Sequence, residues 1–315
     1  MHTESGPEYD NWAQDEAAMS LEAATAVERY ADEAMFRATP LAEDGEEVKP
    51  VVTVIDMTAN PLRVMAAANE MYAGRPCTPD DISQEMALAF AADCQKSKIV
   101  APLEWCRISL LISGVSRDFT HQMVRQRTAT FVQESMRFAV KDNAASEVPT
   151  PPSIAALPDN SDIARKWHDH VAHTGWFYNY LIQNGIPAED ARKGLLIGTA
   201  TRLHYTTNLR DLIMHSGMRL CSQAQAEWKE VWKEIVRAIL AYGEAGDRWQ
   251  RREIVKLFRP ICFQTGKCEF MGQFDRWCVI RERVEAHHRA GDRPETWTDI
   301  NPHEPLHHAA ARRPQ

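Results

Sequence analysis

Between Trp105 and Phe138 an apolar run turns, at one glycine and one serine, into a segment crowded with arginine. Residues 105 to 115 read as a strand ended by Gly114, and Ser116 can cap a helix that starts at Arg117. The stretch GVSRDFTHQMVRQRTATFVQESMRF carries Arg117, Arg125, Arg127 and Arg137 against only Asp118 and Glu134. The spacing of Arg117, His121 and Arg125 predicts that one helical face stacks all three. Like charges on adjacent turns repel unless an anion bridges them, and the forked guanidinium suits phosphate oxygens. A phosphate-rich ligand is the simplest reason for the cluster. From composition alone, a solvated basic face or ion pairs to distant acids is an equal reading.

Charge elsewhere neither demands nor excludes an anionic ligand. The net charge of −8 hides a split, because residues 1 to 47 hold 13 acids and two bases. The remainder carries 34 Lys+Arg against 31 Asp+Glu, a net of +3. That balance and the shortness of the cluster make a nucleic-acid face the weaker reading. No apolar run approaches the ~20 residues of a membrane span, and the N-terminus lacks signal-peptide features, so the expectation is cytoplasmic with no membrane partner. Seven scattered cysteines fit reduced thiols. Cys262, Cys268 and Cys278 lack a CxxC pair and are read as packed or idle rather than zinc-binding, so no metal is expected.

The organisation read from the chain is an acidic, partly helical extension over 1–47, a main domain over 48–284, and a His/Pro-rich tail over 285–315. A helix is predicted from Ala13 to Arg37. In the main domain, VVTVIDMT reads as a strand, and Asn60 caps a helix opening with Pro61. A second helix is predicted over 79–95, and an aromatic helix from about Ser161 to Gln183 stopped by Asn184-Gly185. Pro187 opens another, and one long helical stretch is expected from Asn208 to Tyr242. That stretch carries a second polar set, Asn208, Arg210, Arg219, Gln223, Gln225 and Glu227, with Arg219 and Gln223 on one face. By itself it reads as a polar face with structural salt bridges. Paired with the first cluster it would form the other wall of an anionic site. His287, His288, His307 and His308 are read as solvated tail. Ser135 has no GxSxG elbow or base beside it and reads as a hydrogen-bond donor to phosphate or base.

At these residues the chain resembles the flavin-dependent thymidylate synthases. Their signature is Arg-His-Arg, seven residues, then Ser, continuing to Arg and an aromatic. Here it reads Arg125-Gln126-Arg127, seven residues, Ser135, then Arg137-Phe138. The flanks GVSRDFTHQMVR and TANPLRVMAAA, Ala191-Arg192 and the distant NLRDLIMHSGMRLCSQAQAEW are similar too, so the resemblance covers roughly residues 50 to 240.

The resemblance implies a mixed α/β (α+β) fold with helices around a largely antiparallel sheet, and a homotetramer. It implies conversion of dUMP to dTMP with FAD as cofactor and methylenetetrahydrofolate and NADPH as co-substrates. Carried over residue by residue, Ser109, Arg125, Gln126, Arg127, Asn208 and Arg210 correspond to flavin-binding positions. Gln122, Gln133, Ser135, Arg137, Arg192 and Arg219 correspond to positions around the dUMP phosphate and uracil. Glu134 lies in the same loop, and Gln223 stands where His is frequent near flavin and folate. Arg219 is the expected catalytic cation, stabilising negative charge that develops on the ring. Gln126 replaces the signature His, and Gln hydrogen-bonds but carries no charge. Trp105 replaces a His of the preceding strand and is read as core filler. Rival readings are a relative acting on dCMP, or delivering hydroxymethyl, and a non-catalytic nucleotide- or RNA-binding protein on the same scaffold.

Overall fold

Runs of β-branched residues and leucine make the sheet that carries the arginine-rich segment. The computed structural model describes residues 37–42, 46–94, 100–158, 160–268 and 278. The helix expected over 13–37 falls almost wholly outside them, and the His/Pro-rich tail lies outside them entirely. Strand β1 is Val51–Met57, β2 Arg107–Ser116, β3 Thr130–Gln133 and β4 Ala200–Asn208. The helices among the described residues are α1 Pro61–Tyr72, α2 Gln84–Cys94, α3 Arg117–Met123, α4 Pro152–Ala155 and α5 Asp162–Gln183. They continue with α6 Ala188–Ala191, α7 Leu209–Arg219, α8 Glu227–Ala241, α9 Arg248–Val255 and α10 Ile261–Thr265. The sheet order is β1-β2-β4-β3, with β1/β2 and β3/β4 antiparallel. This is the mixed fold with a largely antiparallel sheet that the sequence led us to expect.

The chain divides into two units. The larger comprises Pro50–Gln133 and the described residues from Arg202 onward. Its core is set by period-two burial of Ile108, Leu110 and Ile112 on β2 and of Val52 and Val54 on β1. A register shift between Val54 and Asp56 leaves Ile55 exposed and turns Met57 inward. Helix α8 packs on β1 with Trp228, Val231, Trp232, Ile235 and Ile239, an apolar stripe at helical spacing.

Ser116 caps α3 as expected, its hydroxyl accepting from the Phe119 amide at 3.2 Å. The helix nevertheless ends at Met123, so Arg125 sits in the following turn and the three-residue stack is not formed. Asn60 adopts φ +47° and makes no side-chain cap. Instead Gln250 Oε1 accepts from the amides of Leu62 (3.0 Å) and Arg63 (3.4 Å). The helix expected from residue 79 begins at Gln84. Asp81 folds back to accept from the Thr78 amide and hydroxyl at 2.8 Å, leaving Pro79–Asp81 as a 3₁₀ turn followed by extended Ile82. The long helix expected over 208–242 is broken between α7 and α8. Trp105 ends a 3₁₀ turn at 65% exposure and is not core.

The smaller unit comprises Glu134–Thr201 and the described residues up to Lys49. Its core joins Val140, Ala144, Tyr178, Ala188 and Ala191. Ser161 caps α5 through the Ala164 amide. Lys141 is 1% exposed, with Glu147 at 2.6 Å and Glu134 at 3.4 Å from its Nζ. Thr201 Oγ1 donates to Glu134 at 3.2 Å, and the Leu41 amide donates to Glu147 at 3.2 Å. The buried cation is thus matched by two carboxylates that have partners of their own.

Among the described residues no helix is long and apolar enough to cross a membrane, and no three His, Cys, Asp or Glu are arranged to hold a metal ion. Cys77, Cys94, Cys106, Cys221, Cys262 and Cys278 are free thiols. Burial pushes the Cys94, Cys106 and Cys262 thiols up to about 12.

Candidate functional site

In the larger unit the end of α3 and the last turn of α7 bring Gln122 and Arg219 into direct contact. Arg219 donates from Nη1 to Gln122 Oε1 at 3.1 Å and from Nη2 to the Gln122 carbonyl at 3.3 Å. Its Nε donates to His215 Nε2 at 3.3 Å, one turn back on α7. The guanidinium lies over the ring of fully buried Trp228, 4.7 Å from its centroid, and Trp228 Nε1 also donates to Gln122 Oε1 at 3.1 Å. Burial lowers the Arg219 pKa, but a guanidinium remains charged at neutral pH. Burial first, and the neighbouring Arg219 charge second, hold His215 at about 3, so it is a neutral acceptor there. The result is a half-buried cation fixed on three sides, an arrangement able to stabilise negative charge that appears beside it.

The remaining residues of this unit that the sequence singled out sit in separate local settings. Ser109 accepts from Thr206 Oγ1 at 3.0 Å across β2 and β4. Asn208 caps α7, accepting from the Asp211 amide at 2.9 Å, and Arg210 pairs with Glu104. Gln133 donates to Thr120 at 2.9 Å. Gln126 Oε1 accepts from the Tyr205 hydroxyl at 2.9 Å, whereas its Nε2 is buried with no partner among the described residues. Arg125 and Arg127 are exposed in the turn after α3. Gln223 is exposed in the 220–226 connection rather than on a helical face with Arg219.

In the smaller unit, Arg137 and Arg192 both meet Glu189. Arg137 pairs with the Glu189 carboxylate at 2.9 Å, and Arg192 Nε donates to its carbonyl at 3.3 Å. Ser135 is exposed, its hydroxyl accepting from the Arg137 amide at 3.4 Å. Glu134, by contrast, turns its carboxylate to Lys141 and Thr201.

Sequence reasoning missed His215, Glu189 and Tyr205 as neighbours of these groups. His215 carried a readable signal, standing four residues before Arg219, whereas Glu189 was read only as a helix-start acid. Tyr205 belongs to a β-strand whose side-chain direction depends on register.

The family model described as thymidylate synthase complementing protein matches residues 53–241. The flavin-dependent thymidylate synthase of Pyrococcus furiosus is 36% identical over 186 residues, covering 58% of this chain and 72% of that protein. The corresponding protein of Pyrococcus abyssi is 34% identical with the same coverage. Among solved structures, a UMP/dUMP methylase from Streptomyces cacaoi bound with 5-Br dUMP is similar at TM-score 0.48 and 21% identity, covering 61% of this chain and 90% of that one. The chain belongs to the flavin-dependent thymidylate synthase family.

Proposed function

We propose that this protein converts dUMP to dTMP, taking the one-carbon unit from methylenetetrahydrofolate and electrons from NADPH through FAD. The observation that carries the reading is Arg219, a cation held by Gln122, His215 and the face of Trp228. The donor groups of the larger unit suit a flavin. Gln126 Nε2 is buried and unpartnered, and Arg125 and Arg127 are exposed guanidinium groups with no carboxylate partner among the described residues. Carbonyl and phosphate oxygens complement such donors. Arg125, Gln126, Arg127, Ser109, Asn208, Arg210 and Gln223 would hold FAD, which when bound carries the electrons of the reaction.

The protein's own contribution is binding and electrostatics. Arg137, Arg192 and Ser135 would hold the dUMP phosphate, with phosphate oxygens competing for the Arg137 fork that Glu189 occupies. Gln122, Gln133 and Glu134 would border the nucleotide. Arg219 would stabilise negative charge developing on the pyrimidine as its ring carbon becomes nucleophilic, and as a guanidinium it stays charged at neutral pH. The family's homotetramer and the domain span 48–284 belong to the same proposal.

The test is mass spectrometry of products after incubation with FAD, NADPH, methylenetetrahydrofolate and equal dUMP and dCMP. Methylated dUMP is expected. A modified dCMP or a hydroxymethyl shift would overturn the substrate or the product, and neither product nor bound flavin would overturn the reaction class.

A further inference from the structure

Behind the Arg219 contact lies a set of polar groups that the reaction as proposed leaves unused. Gln122 Nε2 donates to Gln225 Oε1, and Gln225 Nε2 donates to Asp118 Oδ2 at 2.8 Å and Glu227 Oε2 at 3.3 Å. The two carboxyl groups also share Ser116. Its amide donates to Glu227 Oε1 at 2.7 Å, and its hydroxyl lies against oxygens of both Asp118 and Glu227. Asp118 stands in the first turn of α3, Glu227 in the first turn of α8, and Gln225 in the connection between α7 and α8.

The direction of this chain is compelled by its ends. Carboxylates only accept, so Gln225 must turn its NH₂ toward Asp118 and Glu227, and its oxygen then faces Gln122. That oxygen requires the Gln122 NH₂, which leaves the Gln122 oxygen toward Arg219 and Trp228. Both of those groups only donate. Reversing either amide would set oxygen against oxygen at one end and N–H against N–H at the other. The carboxyl pair at one end and the guanidinium at the other therefore fix two side-chain amides in a single orientation.

We propose that Gln225 is a positioning residue for Arg219, acting through Gln122 and anchored by the Asp118–Glu227 pair. The inference rests on the reading of Arg219 as the cation facing the pyrimidine. Gln225 touches neither Arg219 nor, on that reading, the substrate. Its effect is to deny Gln122 the flipped state, in which its NH₂ would confront the guanidinium.

The experiment measures dUMP affinity by calorimetry on the full-length, FAD-supplied protein for Gln225→Met, Arg219→Lys and the double variant, with folding checked by circular dichroism. Each single variant is expected to weaken dUMP binding about tenfold, and the double variant to bind within about twofold of Arg219→Lys, the non-additivity of groups acting through one contact. Multiplying effects, or a folded Gln225→Met with wild-type affinity, would overturn the role of Gln225. Wild-type affinity in Arg219→Lys would instead overturn the reading of Arg219 on which the inference rests. Gln225→Glu keeps the oxygen that accepts from the Gln122 NH₂, so once folded it should bind dUMP more tightly than Gln225→Met, whereas a role in packing alone would not separate the two in that direction. Should neither Gln225 variant fold, Gln225 is structural and the proposal falls.

Discussion

Trp228 serves Arg219 twice, presenting its ring 4.7 Å from the guanidinium carbon and donating its indole N–H to the same Gln122 oxygen that Arg219 bonds. One side chain thus fixes both the height of the cation and the direction of its partner. A flexible Arg at the end of α7 becomes an oriented charge with no carboxylate partner among the described residues to neutralise it.

Removal of that charge should affect chemistry rather than flavin retention. Arg219→Ala is expected to cut turnover about a hundred- to thousandfold, the range for loss of one preorganised electrostatic group. Flavin absorbance of the purified protein should match wild type. Loss of flavin together with turnover would assign Arg219 to the wrong ligand.

His215 makes stability pH-dependent in a definite direction. Burial lowers its pKa from 6.5 to about 3 in the folded protein. Between those values the unfolded chain binds a proton that the folded chain does not, so stability falls as pH drops from 6.5 toward 3. The slope from this one group approaches about 1.4 kcal/mol per pH unit at its steepest. Urea unfolding at pH 7, 6 and 5 should show a shallower loss for His215→Asn than for wild type; parallel losses would mean that His215 protonates freely in the folded protein.

Lys141 is the buried charge whose loss should be felt most in the smaller unit. Lys141→Met leaves Glu134 and Glu147 facing one another without their cation, a cost of about 3–5 kcal/mol. Denaturant titration should register it, and Lys141→Met combined with Glu147→Leu should recover part of the loss. Equal stability of Lys141→Met and wild type would contradict the packing described.

Gln126 stands where the family signature has His, and its amide N–H₂ has no partner among the described residues while its oxygen accepts from Tyr205. Gln126→His is expected to bind FAD at least as tightly as wild type, measured by flavin fluorescence titration. A clear weakening would show that this pocket is shaped around the amide.

Local chemistry was legible where one residue decides the outcome. Ser116 caps its helix as read, and the aromatic helix runs from Asp162, next to its expected start at Ser161, to Gln183 before Asn184-Gly185. The strand leading into Ser116 was visible from its apolar run. Two breaks were not legible, because distant or reciprocal contacts produce them. The 220–226 connection contains neither Gly nor Pro, and its Gln225 is engaged by Asp118, more than a hundred residues away in sequence. Asp81 looks like a first-turn helix acid but bonds backward to Thr78. Trp105 misled for a third reason, since a large aromatic at the end of a 3₁₀ turn can remain outside the core while its neighbours Leu103 and Cys106 are buried. Among the candidate site residues, the arginines were legible as a chemical type. Glu189, which meets both Arg137 and Arg192, was not legible as their partner, because in sequence it looks like an ordinary helix-start acid.

Gln250 closes the first turn of α1 from a position nine residues beyond the segment by which the family is recognised. Part of what completes the structure of that segment therefore lies outside it. A chain ending at residue 241 would keep every signature arginine yet leave the amides of Leu62 and Arg63 without their acceptor, at the point where the polypeptide leaves its first strand. The boundary of recognisable ancestry and the boundary of physical integrity fall at different places in this protein, and α9 occupies the interval between them.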